Sequence, residues 1–324
     1  MGKQSKDKRD IYYRKAKEEG WRARSAYKLL QIDEEYNIFE NVRRAVDLCA
    51  APGSWSQVLS RKLYGVEENS QNSDVKIVAV DLQDMAPLPG VLQIKGDITK
   101  TSTAQQIIDH FAGLPADLVV SDGAPDVTGM HDIDEYVQAQ LILAAFNITH
   151  YVLRPGGTFV AKIFRGKDMT LMYTQMKQYF SSVTITKPKS SRNSSIEAFI
   201  LCQNFRMHSP LRPILSTFTE KTEEKQSGDE ISFVEASSST TPSLPSILDP
   251  MQLYRPSTST SGEHIHVPFT ACGDLQGFDA DTSYPLPEDR DGNVENSLKP
   301  VRPPINPPYQ EYLDKKRSGQ LVKD

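Results

Sequence analysis

The chain has 324 residues, of which 38% are hydrophobic, and carries 37 Lys and Arg against 42 Asp and Glu. No run of about 18 apolar residues is available to span a membrane, and the opening MGKQSKDKRD has no apolar stretch for a secretory signal, so a cytoplasmic chain is expected. Three cysteines without paired metal-ligand spacing argue against a disulfide framework and predict no metal site.

The first segment, residues 1–42, is basic and helical in pattern. Asp7–Glu19 and Ser25–Tyr36 have apolar residues at helical spacing, with Ser25 as the expected N-cap of the second helix. Residues 1–30 hold ten Lys and Arg and four Asp and Glu. Such an excess suits a phosphate-binding surface, because affinity for a nucleic-acid backbone is mostly electrostatic. It equally suits a solvated N-terminus. Lys3, Lys6, Lys8, Arg9, Arg14, Lys15, Arg22 and Arg24 are the candidate phosphate contacts.

From Arg43 onward, short apolar runs alternate with helical patterns. Strands are predicted at Ala45–Leu48, Val75–Val80, Val91–Ile94, Leu118–Ser121, Thr158–Phe164, Val183–Thr186 and Ala198–Phe205. Helices are predicted at Ser54–Leu63, Thr101–Phe111, Asp134–Leu153 and Met169–Phe180. The loop before Ala198–Phe205 is too short for a crossover helix, so that strand should pair antiparallel. Residues 1–205 therefore read as an α/β domain, a Rossmann-like, doubly wound and mostly parallel sheet.

Residues 206–324 differ in kind. They hold 14 of the 21 prolines and 18 Asp and Glu against 12 Lys and Arg, with a Ser/Thr-rich run from Ser237 to Ser246. This acidic, largely irregular tail has the composition of disorder around residues 219–260. Aromatics return after residue 264 (Phe269, Phe278, Tyr284, Tyr309 and Tyr312), so residues 264–324 are a candidate docking segment.

A parallel sheet binds ligands at the carboxyl ends of its strands. The first such end reads Asp47-Leu48-Cys49-Ala50-Ala51-Pro52-Gly53-Ser54-Trp55-Ser56-Gln57. One glycine and a proline replace the repeated glycines that a pyrophosphate needs, which points to a nucleoside without phosphates. Asp81 closes the next strand, where an acid would hold ribose hydroxyls, and Asp97 follows the third, where an adenine amino group could be met. Singly these acids are ordinary turn residues; in this order they fit S-adenosylmethionine.

Lys162 interrupts the apolar strand Thr158–Phe164, which is costly unless it stands at the open end and faces a site. Asp122 stands at the matching end of the preceding strand, Glu197 opens the last strand, and Lys28 lies in the first turn of the added helix. These four suit methyl transfer to an alcohol, with Lys162 as general base beside a second cation. The same spacing also describes an ion-pair cluster at the strand ends.

Arg24-Ser25-Ala26-Tyr27-Lys28-Leu29, the Asp47–Gln57 loop, Ser121-Asp122-Gly123-Ala124-Pro125, Val160-Ala161-Lys162-Ile163-Phe164 and Ser191-Arg192-Asn193-Ser194-Ser195-Ile196-Glu197 resemble the FtsJ/RrmJ family of RNA ribose 2′-O-methyltransferases. The resemblance covers residues 1–205. It implies a catalytic tetrad of Lys28, Asp122, Lys162 and Glu197, and S-adenosylmethionine contacts at Gly53, Trp55, Asp81, Asp97 and Asp122. Ser54 stands where bacterial members carry glycine. The opening Lys6-Asp7-Lys8-Arg9-Asp10-Ile11-Tyr12-Tyr13-Arg14-Lys15-Ala16-Lys17 is similar to the cytoplasmic branch that acts on tRNA anticodon loops, at the wobble nucleotide and the one two before it. That likeness implies tRNA as substrate, a WD-repeat partner for the wobble position and a large helical-repeat partner for the other. Ribosomal RNA or an mRNA cap is the alternative substrate, and an inactive RNA-binding scaffold the alternative class.

Overall fold

The computed structural model describes residues 10–65, 74–125, 130–166, 169–206, 267–282 and 284. Two helices, α1 (Ile11–Glu18) and α2 (Ala26–Tyr36), precede the sheet. The chain then runs β1 (Arg44–Leu48), α3 (Ser54–Tyr64), β2 (Lys76–Asp81), β3 (Val91–Lys95), α4 (Thr101–His110), β4 (Ala116–Ser121), α5 (His131–Val152), β5 (Leu153–Phe164), α6 (Met169–Tyr179), β6 (Phe180–Pro188) and β7 (Glu197–Phe205). A further strand, β8 (Phe269–Cys272), comes from the tail. The strands form one sheet in the order β3-β2-β1-β4-β5-β7-β6-β8. The order reverses at β1 and β4, the crevice where doubly wound sheets take ligands. Neighbours from β3 to β5 are parallel, while β7 runs antiparallel between β5 and β6, as the short loop before it requires.

Side chains alternate between the two faces of each strand. On one face Val46, Val119, Phe159, Ala161 and Ile200 pack against α4, α5 and α6 through Ile107, Ile148 and Met176. On the other, Ala45, Leu118, Val120, Val160, Phe199 and Leu201 pack against α2 and α3 through Leu29, Ile32, Trp55 and Val58. Both faces are covered, which explains why the central strands read as continuous apolar runs.

The second helix differs from its sequence reading in one respect. Ser25 has helical dihedrals and makes no side-chain cap bond; its hydroxyl instead meets that of Ser54 at the start of α3. A tertiary contact has displaced a local one. The first helix starts at Ile11, capped by Asp10, whose carboxylate accepts from the amides of Tyr12 at 3.0 Å and Tyr13 at 3.2 Å. Residues 7–9 and the 219–260 stretch expected to be disordered lie outside the described residues. Among the described residues no helix is long and apolar enough to cross a membrane.

Trp55 is the keystone of the face between α2, α3 and the sheet. It is 2% exposed, packs on Phe199 with ring centroids 5.6 Å apart, and donates its indole N–H to the Ser25 carbonyl at 2.8 Å. Replacing it removes a large buried ring and its hydrogen bond, so Trp55→Ala should cost about 3–5 kcal/mol of stability. Equilibrium denaturant unfolding measures this; a loss under about 1 kcal/mol would show the face to be loosely packed.

Candidate active site

At the carboxyl end of β1 the chain must leave the sheet and enter α3 within a few residues. Cys49 takes a φ of 56° and Gly53 a φ of 95° to do so. A side chain at Gly53 would also strike the Arg22 guanidinium, 2.6 Å from the position of a Cβ. Arg22 itself spans this corner, donating to the carbonyls of Pro52 at 3.0 Å, Ala86 at 2.7 Å and Pro87 at 2.9 Å.

Beside this corner opens a cleft of about 790 Å³, lined by Cys49, Ala51, Pro52 and the ends of β2, β3, β4 and β5. Asp81 and Asp97 both line it. Each is held by backbone: Asp81 accepts from the amides of Ala51 and Gln83, each at 2.8 Å, and Asp97 from that of Thr99 at 2.9 Å. These bonds fix where the carboxylates point while leaving further lone pairs for a ligand. Gly53 and Trp55 do not line the cleft. The Trp55 ring is committed to packing, and the Gly53 amide donates to the Ala50 carbonyl at 2.6 Å.

The cleft continues to Asp122 and Lys162. Ser121 pairs with Ala161 in the β4–β5 register, which sets the next residues, Asp122 and Lys162, side by side. The Lys162 Nζ lies 3.0 Å from Asp122 Oδ1 and donates to the Asp122 carbonyl at 2.6 Å. Lys162 is 8% exposed, and Gln138 of α5 donates to its carbonyl at 2.7 Å and to that of Gly123 at 3.1 Å. From α2, Lys28 Nζ donates to Glu197 Oε2 at 2.7 Å. The Ser191 hydroxyl donates to the other Glu197 oxygen. Burial would raise the Glu197 carboxyl, but Lys28 first and Lys162 second outweigh it and hold the group down at about 2. The four residues of the expected tetrad thus come together as two linked ion pairs.

Three contributors were not singled out from sequence. Ser191 was quoted only as part of a motif, and Gln138 sits on a helix face where a glutamine signals nothing. Asp47, fully buried, accepts from the Ser56 hydroxyl. Burial raises its carboxyl to about 7, and the neighbouring charges of Asp122 and Asp81 push the same way against the Ser56 hydrogen bonds.

The basic residues proposed for phosphate contact fare differently. Lys3, Lys6, Lys8 and Arg9 lie outside the described residues. Arg14, Lys15, Arg22 and Arg24 are engaged within the fold: Arg14 donates to the Tyr284 carbonyl at 3.1 Å, and Lys15 stands 4.7 Å over the Phe278 ring. Arg24 pairs with Asp10 and donates to the Ser190 carbonyl. Each of these four side chains thus has a partner within the fold.

Acids facing a nucleoside-sized cleft at the switch point, opening onto two lysine–carboxylate pairs, define a nucleoside-dependent group-transfer enzyme. Comparison with known proteins gives its kind. Residues 21–205 match the FtsJ-like methyltransferase family, a match that ends with β7 and leaves β8 outside it. The tRNA (cytidine(32)/guanosine(34)-2′-O)-methyltransferase of Homo sapiens is 56% identical over 327 residues, covering 100% of this chain and 88% of that one. Its namesake from Schizosaccharomyces pombe is 49% identical over 324 residues, covering 99% and 100% of the two chains. A crystal structure from Plasmodium falciparum, assigned as a ribosomal RNA methyltransferase, matches with a TM-score of 0.50 at 27% identity, over 57% of this chain and 98% of that one. The chain belongs to the FtsJ-like methyltransferase family. Its methyl donor is S-adenosylmethionine, and the cleft suits that molecule: it carries acids for a cationic nucleoside and no cradle of glycines for a phosphate.

The Asp47 carboxyl generates a pH prediction. Unfolded, it titrates near ~3.9, so between about pH 4 and pH 7 the folded chain binds the extra proton and stability falls as pH rises. Asp47→Asn removes this dependence. Its melting temperature relative to the native chain should rise by several degrees from about pH 5 to about pH 8; a gap independent of pH would contradict the assignment.

Proposed function

We propose that this chain methylates the ribose 2′-hydroxyl of tRNA anticodon-loop nucleotides 32 and 34, with Lys162 as general base, in the cytoplasm. The observation that carries the chemistry is the Lys162–Asp122 pair at the mouth of the cleft, at 3.0 Å, beside Lys28 and Glu197. The substrate rests on relatives named for those two nucleotides that align over nearly the whole chain, tail included. The likeness to the anticodon-loop branch adds two partners, a helical-repeat protein for nucleotide 32 and a WD-repeat protein for nucleotide 34.

When bound, S-adenosylmethionine supplies an electrophilic methyl group on a sulfonium. Asp81 holds its ribose hydroxyls and Asp97 its adenine edge, while Asp122 stands between donor and acceptor. In its amine form Lys162 accepts the 2′-hydroxyl proton at Nζ as that oxygen attacks the methyl carbon; the C–S electron pair stays on sulfur. Asp122 orients the Lys162 head. Lys28 donates to the acceptor ribose and, with Glu197, fixes the electrostatic surroundings of the base. The product is a 2′-O-methyl ribose and a neutral thioether, and the proton leaves Lys162 to solvent.

Transfer of labelled methyl groups to unmodified tRNA, with each partner added, tests this reading. Lys162→Ala should lower kcat by about 10²–10⁴-fold with S-adenosylmethionine affinity changed less than about twofold. Label should map to nucleotides 32 and 34. Label appearing only on ribosomal or capped RNA would overturn the substrate, and an active Lys162→Ala would overturn the base.

A further inference from the structure

Beyond the family domain, residues 267–282 and Tyr284 of the tail lie as a strap across the acceptor side of the active site. Its first part is β8, in parallel register with β6 (Ile185 to Phe269, Pro188 to Cys272). Cys272 is buried at 1% exposure, its carbonyl accepts from the Lys189 amide at 2.9 Å, and Thr270 meets the Tyr36 hydroxyl of α2 at 2.6 Å. Gly273 turns the chain with a φ of 89°, where a Cβ would stand 2.7 Å from the Gln31 side chain. Gln31 in turn accepts from the Ser190 amide at 2.8 Å. The far part of the strap is held by α1: the Tyr12 hydroxyl donates to the Phe278 carbonyl at 3.0 Å, and Arg14 to the Tyr284 carbonyl at 3.1 Å.

Between these anchors the strap presents two carboxylates to the loop 189–196, the loop that carries Ser191 and leads into Glu197. Asp279 accepts from the Asn193 side-chain amide at 3.1 Å, and Lys189 lies 3.9 Å away. Asp281 accepts from the Ser194 amide at 3.2 Å and its hydroxyl at 3.3 Å. Asp279 also accepts from the Asp281 amide at 2.8 Å, so the two carboxylates are fixed relative to each other. The loop's other ties are Arg192 on Asp10 at 3.2 Å and the Ser190 amide on Gln31 and, towards β7, Lys187 on the Ser195 carbonyl at 2.8 Å and the Arg165 amide on the Ile196 carbonyl at 2.8 Å. Between those ties, the middle of the loop, Asn193 and Ser194, is held by the strap's two carboxylates.

We infer that the strap is a positioning element of the active site, in which Asp279 and Asp281 hold the 189–196 loop so that Ser191 and Glu197 meet Lys28 in register. This rests on the roles proposed above for the tetrad. It assigns part of the tail to catalysis, although the strap touches no reacting atom. Misplacement of a catalytic group by about 1 Å can cost about 100-fold in rate; loosening the loop with Lys28 still paired to Glu197 should cost less.

The test uses the whole chain in the tRNA assay above. Asp279→Asn/Asp281→Asn should lower kcat about tenfold, with the S-adenosylmethionine Kd and the KM for tRNA within twofold of native. Asn193→Ala, which breaks one bond from the loop side, should act in the same direction, and Asp281→Glu should recover most of the rate. Asp274→Asn, on the strap but facing Gln276 at 3.0 Å rather than the loop, should leave kcat unchanged. Unchanged kcat in both the double variant and Asn193→Ala would overturn the inference. So would a loss of kcat matched by equal losses in donor affinity and melting temperature, since that is damage to the fold. Failure of the tetrad reading shows separately, as retained activity in Lys162→Ala with an intact strap.

Discussion

The ammonium of Lys162 is set into a covered sheet at 8% exposure, and the rest of the site follows from how that charge is tolerated. An isolated buried cation is prohibitive, and even a paired one is held only when its donors are satisfied. Here the parallel register of β4 and β5 places Asp122 alongside, supplying a carboxylate oxygen and a backbone carbonyl. The pairing of β5 with β7 sets Phe164 opposite Glu197 and so brings a second carboxylate to the same end. That acid then demands its own cation, which α2 supplies as Lys28. Each charge is balanced by the next, and together they hold the Lys162 head in the wall of the cleft.

Strand periodicity explains why these four groups meet. Val120 and Val160 face α2 and α3, so by alternation Asp122 and Lys162 do too; Phe199 and Leu201 put Glu197 on the same face. Lys28 comes from the helix packed on that face. This much was legible in the sequence, since a period of two and a strand register decide it. The elements themselves were similarly legible, because both sheet faces are covered, but some ends were not: β5 begins at Leu153 and β6 at Phe180, residues expected to close helices, and β6 runs on to Pro188. What was not legible depends on contacts between distant segments. Ser25 looks like a cap because its neighbours are helical, yet Ser54 takes its hydroxyl. The partners that Arg14, Lys15, Arg22 and Arg24 have within the fold were not legible either, because charge says nothing about its partner. β8 is four residues long, too short for any periodicity to announce it.

The cleft and the tetrad also divide the site by charge. Asp81, Asp97 and Asp122 line the cleft, and burial first, with the charges of Asp122 and Asp81 adding to it, raises the neighbouring Asp47 to about 7. Lys28 and Lys162 stand on the acceptor side. A sulfonium carries positive charge that is lost on methyl transfer, whereas the attacking oxygen gains negative character as its proton leaves. On the mechanism proposed above, a field running from the carboxylates to Lys28 would favour the donor's binding at one end and the developing oxyanion at the other. Glu197 is held at about 2 by the two lysines against the effect of burial, so its negative charge is balanced within the protein. The strap's carboxylates are treated alike: Asp279 and Asp281 are bound to the loop beneath them, so their charge too is taken up within the protein.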